Sequence, residues 1–256
     1  MKHLFKNFSY QPINVNCGKI IVFYQPLCYN FRMELEKYLE AVDGGKFKEF
    51  GELLLEHNKI CNLTSIVDEK GVKYKHFLDS LAGESYFPEN SAVIEIGSGG
   101  GFPSIPLKLF RDDLRFTLVE STGKKCAYLE TVVDKLGLKC VQVKNIRAED
   151  GAHDKNMRKK FDIACARAVA RLNTLCEYCL PFVKTGGRFI AYKGSAEEEI
   201  KEAQNAIKTL GGEIEEVVNY GLPEDEGKRT LIIITKIKTT PEKYPRGQGK
   251  ERKNPL

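Results

Sequence analysis

The run Val93-Ile94-Glu95-Ile96-Gly97-Ser98-Gly99-Gly100-Gly101-Phe102-Pro103 constrains the fold more than any other stretch of this chain. A short apolar strand runs into four glycines within five residues, and then into a segment with prolines where a helix would take its first turn. Glycine lets the backbone turn sharply and lets it approach a ligand with no Cβ in the way. A strand, a glycine turn and a helix open a βα unit, and the rest of the chain repeats that unit. Apolar runs at Ala92–Ile96, Phe116–Val119, Cys140–Val143, Asp162–Ala166 and Arg188–Tyr192 alternate with helical patterns that begin near Pro103, Lys124, Ala170 and Ala196. Such alternation predicts a twisted, mostly parallel sheet covered on both faces. The last two strands, Glu213–Tyr220 and Arg229–Lys236, have only a loop between them and predict an antiparallel hairpin at the sheet edge.

Four segments follow from this reading. Residues 1–32 carry no helical or strand period and are expected to be a poorly ordered extension. Residues 33–88 show helical spacing, with Phe47, Phe50, Leu54 and Leu55 and then Phe77, Leu78 and Leu81 at three- and four-residue steps. Residues 89–237 are expected to form the strand-helix core. Residues 238–256 form a basic tail in which Pro241, Pro245 and Pro255 are expected to prevent a regular element. It either follows a phosphate backbone or folds its Tyr244-Pro245-Arg246 stretch back on the core, with Arg246 pairing a carboxylate.

The net charge of +5 is not spread evenly. Lys236, Lys238, Lys243, Arg246, Lys250, Arg252 and Lys253 face only Glu242 and Glu251, so the last 21 residues carry the whole excess and the body is balanced. A neutral body with a basic tail points to a polyanionic partner. The eight cysteines show no disulfide framework. The lone Cys176-x-x-Cys179 lacks a second ligand pair, so no metal site is expected. The apolar run Ile20–Tyr24 is too short to cross a membrane or to serve as a secretion signal, which places the chain in the cytoplasm.

The strand ends define the ligand. The dinucleotide fingerprint G-x-G-x-x-G fails here, because the sixth position from Gly97 is Phe102 and from Gly99 is Ser104. An aromatic at that position suits a ligand with no pyrophosphate. The second strand ends at Glu120, where a carboxylate can accept both hydroxyls of a ribose. That feature serves nicotinamide and adenosylmethionine enzymes alike. The third strand leads into Asn145–Asp150, where an adenine edge would lie. The fourth ends at Arg167, a charge costly to bury unless it is paired, and the fifth at Lys193-Gly194, where a base can meet RNA phosphate. His76 and Asp79 share one helix side, with a packing or capping role at least as natural as one in the cleft.

Taken together, these stretches resemble the small-subunit ribosomal RNA guanine-N7 methyltransferases, also called glucose-inhibited division protein B. The resemblance runs from about Phe50 to Leu256. It rests on Asn62-Leu63-Thr64-Ser65, His76-Phe77-Leu78-Asp79-Ser80-Leu81, the Gly97–Pro106 loop, Thr117–Ser121, Lys124-Lys125, Arg147-Ala148-Glu149, Arg167–Ala170, Tyr192-Lys193-Gly194, Tyr244-Pro245-Arg246 and the terminal Pro255-Leu256. It implies the Rossmann-like class I methyltransferase fold, with S-adenosyl-L-methionine held by Gly97, Phe102, Glu120, Ala148, Glu149 and Arg167. It also implies small-subunit ribosomal RNA, free or in its 30S particle, as partner. Lys193, Arg246, Lys250, Arg252 and Lys253 are the candidate RNA contacts. A monomer acting away from membranes and without metal is expected, and no catalytic side chain is assigned. Glu95 and Glu120 stand where the family more often has Asp, Ser104 replaces a usual glycine, and residues 1–32 have no counterpart. Two other readings stay open: a nicotinamide-dependent oxidoreductase, and a non-catalytic RNA-binding protein on the same scaffold.

Overall fold

The computed structural model describes residues 26–225 and 227–256. Most of the expected extension, up to residue 25 and including the apolar run Ile20–Tyr24, lies outside the described residues. The first helix, α1, spans Pro26–Val42 rather than opening at Met33. Proline suits this first helical position, where the missing N–H has no intrahelical partner to lose.

Helix α2 spans Gly45–Cys61 and buries Phe47, Phe50 and Leu54, the stripe read from the sequence. It stops where Asn62 turns left-handed. Helix α3 joins an α-helical turn, Glu69–Gly71, a π-helical stretch, Val72–Leu78, and a second α-helical turn, Asp79–Leu81. Then the sheet begins. Its strands are β1 Ala92–Ile96, β2 Arg115–Glu120, β3 Val141–Asn145, β4 Phe161–Arg167, β5 Val183–Lys193, β6 Gly212–Gly221 and β7 Lys228–Lys236. Helices α4 Ser104–Phe110, α5 Gly123–Lys135, α6 Ala148–His153 and α7 Leu172–Cys179 connect the first five, while α8 Glu197–Glu202 and α9 Gln204–Leu210 lead into the hairpin.

The strand order is β3-β2-β1-β4-β5-β7-β6. The first five strands are parallel, and β7 runs antiparallel to both β5 and β6. The chain winds outward through β2 and β3, then returns to place β4 on the other side of β1. That reversal between β1 and β4 opens a crevice at the carboxyl ends of the strands, where open α/β sheets bind ligands.

Two apolar cores sit on the two sheet faces. One joins Phe50, Leu54, Phe77 and Leu78 of the N-terminal helices to Leu118, Leu129, Tyr192 and Ile233. The other joins Ile94, Leu175, Phe182, Phe189 and Ile207. Residues 33–88 are therefore part of one sheet face. Strand β5 starts five residues before the apolar run that announced it, because Phe161 pairs Val183 across a register shift.

The tail corrects the sequence reading once and takes the second of its two alternatives. Lys250–Lys253 forms a short helix, α10, in spite of the flanking prolines. The segment also packs into the second core, where Tyr244 is 7% exposed and Glu251 fully buried. The prolines lie outside the four helical residues, so nothing in α10 loses an N–H.

Candidate functional site

The glycine turn sits at the end of β1, beside the crevice. Gly97, Gly99 and Gly101 all take positive φ, at 71°, 48° and 87°. Gly97 and Gly101 are needed for packing: a Cβ would stand 2.6 Å from a Val169 methyl at the first and 2.6 Å from Ile105 at the second. Gly99 differs. A Cβ there would meet only the Gly97 carbonyl, at 3.7 Å, so its side faces open space. The turn is held by Gly97 N–H and Ser98 N–H donating to Val119 O at 2.8 and 3.1 Å.

Glu120, at the end of β2, faces this turn. Its carboxylate accepts from Gly99 N–H at 3.1 Å and Thr122 N–H at 2.8 Å and is 7% exposed. Two backbone donors thus orient an acceptor with lone pairs to spare. The third strand end is tied in as Ile146 N–H and Asn145 Nδ2 donate to Glu120 O at 3.1 Å each. Ala148 and Glu149 begin α6 directly after this junction.

Below the turn, Glu95 is wholly buried, and neither carboxylate oxygen has a hydrogen-bond partner among the described residues. Burial pushes its carboxyl up to about 8. The sequence reading passed over this residue as a conservative variant of aspartate. A glycine facing open space beside a carboxylate oriented by two backbone N–H groups fits a nucleoside cofactor, whose ribose hydroxyls can donate to such a carboxylate.

Arg167 stands across the crevice at the end of β4, and it is engaged. Its Nη1 donates to Asp79 Oδ2 at 2.9 Å and to Lys75 O at 3.0 Å, and its Nη2 to His76 Nδ1 at 3.0 Å. The guanidinium carbon lies 4.7 Å from the Phe102 ring centroid, and the His76 ring stacks on Phe102 at 4.4 Å and 19°. Ala168, the next residue, takes φ 57°, an uncommon conformation for a residue with a Cβ. His76 and Asp79 thus reach the cleft. Their three-residue spacing on a helix was the available signal, but spacing alone does not say which side of the sheet a helix covers.

The candidate RNA contacts divide. Lys193 Nζ lies 2.6 Å from Glu199 and donates to Ala170 O at 2.7 Å. Arg246 makes an ion pair with Glu177, which is 1% exposed, through Nη2 at 2.8 Å, and its backbone N–H donates to the same carboxylate at 2.7 Å. Lys250, Arg252 and Lys253 are exposed, with Arg252 Nε donating to Tyr178 OH at 3.3 Å. Lys236 is buried and donates to Leu180 O, Leu210 O and the Thr240 hydroxyl, and burial pushes its ammonium down to about 7. Between α6 and the tail lies a cavity of about 480 Å3, walled by Arg147, Glu149, Asp150 and His153 on one side and residues 246–249 on the other.

Cys176 and Cys179 are both fully buried, which pushes their thiols up and leaves them as core residues. Among the described residues no cluster of three or more His, Cys, Asp or Glu is placed to hold a metal ion. Nor is any helix among them long and apolar enough to cross a membrane.

Comparison with known proteins gives the family. A family model described as rRNA small subunit methyltransferase G matches residues 44–230. Ribosomal RNA small subunit methyltransferase G of Lactobacillus johnsonii is 43% identical over 234 residues, covering 88% of this chain and 98% of the relative. The protein of the same name from Geobacillus kaustophilus is 46% identical over 214 residues, covering 82% of this chain and 90% of its own. Among solved structures, a putative O-methyltransferase from Klebsiella pneumoniae matches with TM-score 0.54 and 13% identity, covering 83% of this chain and all of its own. The O-methyltransferase of Bacillus cereus in complex with SAH matches with TM-score 0.53 and 17% identity, covering 73% and 90%. At those identities the two structures speak for the fold alone.

Proposed function

We propose how this site works from one premise: the chain belongs to the rRNA small subunit methyltransferase G family. It is an S-adenosylmethionine-dependent methyltransferase of small-subunit ribosomal RNA. The Gly97–Phe102 turn and Glu120 hold the cofactor, Ala148 and Glu149 flank its adenine, and Arg167 closes the mouth of the crevice. The observation that carries this reading is the pairing of Gly99, open on its outer side, with the backbone-oriented Glu120 carboxylate.

The position methylated is guanine N7, as the sequence resemblance implies. When bound, S-adenosylmethionine supplies an electrophilic methyl on a sulfonium. Guanine N7 already presents a lone pair, so the chain's residues have no proton to remove. Their work is to hold the base in line with the methyl and to exclude water. Methyl transfer to such an atom proceeds without a general base. N7 lies in the deep major groove of an RNA helix, which side chains do not enter, so the target guanine is looped, splayed or open during assembly.

The chain acts as a monomer in the cytoplasm, without metal, on the 30S particle or its RNA. Exposed Lys250 and Lys253, with Arg252 beside Tyr178, are the tail residues that meet phosphate. Transfer of labelled methyl to purified small-subunit RNA and to the intact particle, with mass spectrometry of the nucleosides, tests the proposal. Appearance of 7-methylguanosine is the expected result. Methylation at another atom overturns the position, and no transfer to either substrate overturns the function.

A further inference from the structure

Seven residues of α3, Val72–Leu78, wind as a π-helix. Such stretches are rare and are frequently found at functional sites. Here that stretch and the α-helical turn after it point three acceptors at one guanidinium: Lys75 O and Asp79 Oδ2 to Arg167 Nη1, and His76 Nδ1 to Nη2, all within 3.0 Å. The acceptors are themselves held. The Tyr220 hydroxyl of β6 donates to Asp79 Oδ1 at 2.7 Å, and Arg229 of β7 lies 3.5 Å from the same oxygen. His76 Nε2 lies 2.8 Å from Thr64 Oγ1, which also accepts from Ile66 N–H.

The protonation of His76 agrees with this arrangement. Burial, then the Arg167 charge, pushes its pKa down to about 3, so the ring is neutral and Nδ1 keeps its lone pair for Arg167. The proton therefore sits on Nε2 and is donated to Thr64. Asp79 is 3% exposed and His76 8%, so both bonds to the guanidinium lie largely away from water. Arg167 has five N–H donors, of which the described residues take three, leaving Nε–H and one Nη2–H.

We infer that His76, Asp79 and Tyr220 are positioning residues for methyl transfer, fixing the Arg167 guanidinium against the Phe102 ring with two donors left for an oxyanion at the mouth of the crevice. The inference rests on the proposed function and adds to it the source of Arg167's orientation. A packing helix would need none of these bonds, and apolar residues at 76 and 79 would cover the sheet equally well. The oxyanion is a carboxylate or a phosphate: the first belongs to the cofactor, the second to the RNA backbone, and kinetics separates them.

The test compares His76→Phe, His76→Asn and Tyr220→Phe with the parent chain, well below every melting temperature. His76→Phe keeps a ring on Phe102 but removes the acceptor. His76→Asn places an amide oxygen near the position of Nδ1. We expect His76→Phe to lower kcat/KM on small-subunit RNA by about ten-fold, the size of a lost hydrogen bond to a charged group. His76→Asn should recover most of it, and Tyr220→Phe should lose less. A rise confined to the KM for S-adenosylmethionine identifies the cofactor carboxylate, and one confined to the KM for RNA identifies phosphate. Parent kinetics in His76→Phe overturns the inference. So does a His76→Asn variant as impaired as His76→Phe with an equally lowered melting temperature, because that marks a structural role alone. If the parent itself transfers no methyl, the proposed function fails. The inference is then read by titration, and unchanged Kd values for both S-adenosylhomocysteine and RNA in His76→Phe overturn it.

Discussion

The N-terminal helices and the C-terminal tail both flank the nucleotide-binding core, and the structure gives them roles the sequence had not separated. The last 21 residues, from Lys236 through the tail, hold the chain's whole excess of positive charge, which reads as a ribbon for phosphate. Yet Lys236 is buried, Arg246 is committed to the buried Glu177, and Arg158 donates to Ala152 O, Tyr244 O, Thr240 O and Pro241 O, binding the tail to the core. The N-terminal helical segment, residues 33–88, has more acids than bases and reads as packing. It supplies His76 and Asp79, which hold the arginine at the crevice. Net charge counts residues but does not say where they point. A buried partner such as Glu177 converts a cation that looks free into a structural one.

Four experiments break or sharpen that comparison. The largest effect is the reference for both regions: Gly99→Val abolishes binding of S-adenosylhomocysteine in isothermal titration. A β-branched residue resists φ 48° and fills the open side of the turn. Retained binding would move the cofactor elsewhere and detach both regions from it.

Next is Arg246→Ala. It leaves the Glu177 carboxylate buried without its cation, at a cost of about 2 kcal/mol. Thermal melting should fall by about 5 °C for a chain of this size. An unchanged melting point would return Arg246 to the free basic residues, and the tail to a ribbon.

Glu95→Gln reads the ground beneath Arg167. The Glu95 carboxyl lies near 8 in the fold against an ordinary 4.5, so folding favours its protonated form. Its contribution to stability is therefore complete below 4.5 and is lost as pH rises through 8. The glutamine variant should match the parent at pH 5 and exceed it at pH 8.5 by on the order of 1–3 kcal/mol in denaturant unfolding. Equal stability at both values would mean that Glu95 finds a partner in solution.

The smallest expected effect separates the free part of the tail from its anchors. Changing Lys250, Arg252 and Lys253 together to Ala should leave the melting temperature within about 1 °C, since the side chains are exposed. It should weaken RNA binding and flatten the slope of log affinity against log salt by about two units, through fewer counterions released. A lowered melting temperature with an unaltered slope would make the whole tail structural.

Much of the molecule was legible before any coordinates. Seven strands, the antiparallel hairpin and the glycine turn follow from local rules: strand runs are apolar, turns need glycine, and alternation of strand and helix forces parallel pairing. The turn and Glu120 were legible for the same reason, as both lie at strand ends that the fold brings together. Glu95 was not, because a carboxylate inside an apolar strand looks the same whether or not a partner lies across the sheet. The π-helical stretch was not either, since Phe77, Leu78 and Leu81 satisfy ordinary helical spacing.

By itself, then, the sequence determined the number and direction of the strands and the place of the crevice at their ends, because those depend on neighbours along the chain. The strand order came from the tertiary structure. Only the tertiary structure decided which charges are spent and which are free. Arg167 meets His76 and Asp79 across about ninety residues of chain, and Arg246 meets Glu177 across 69. Such pairings come from how α3 and the tail settle on opposite faces of the sheet. Their energies depend on burial, a property no residue carries until the chain has closed around it.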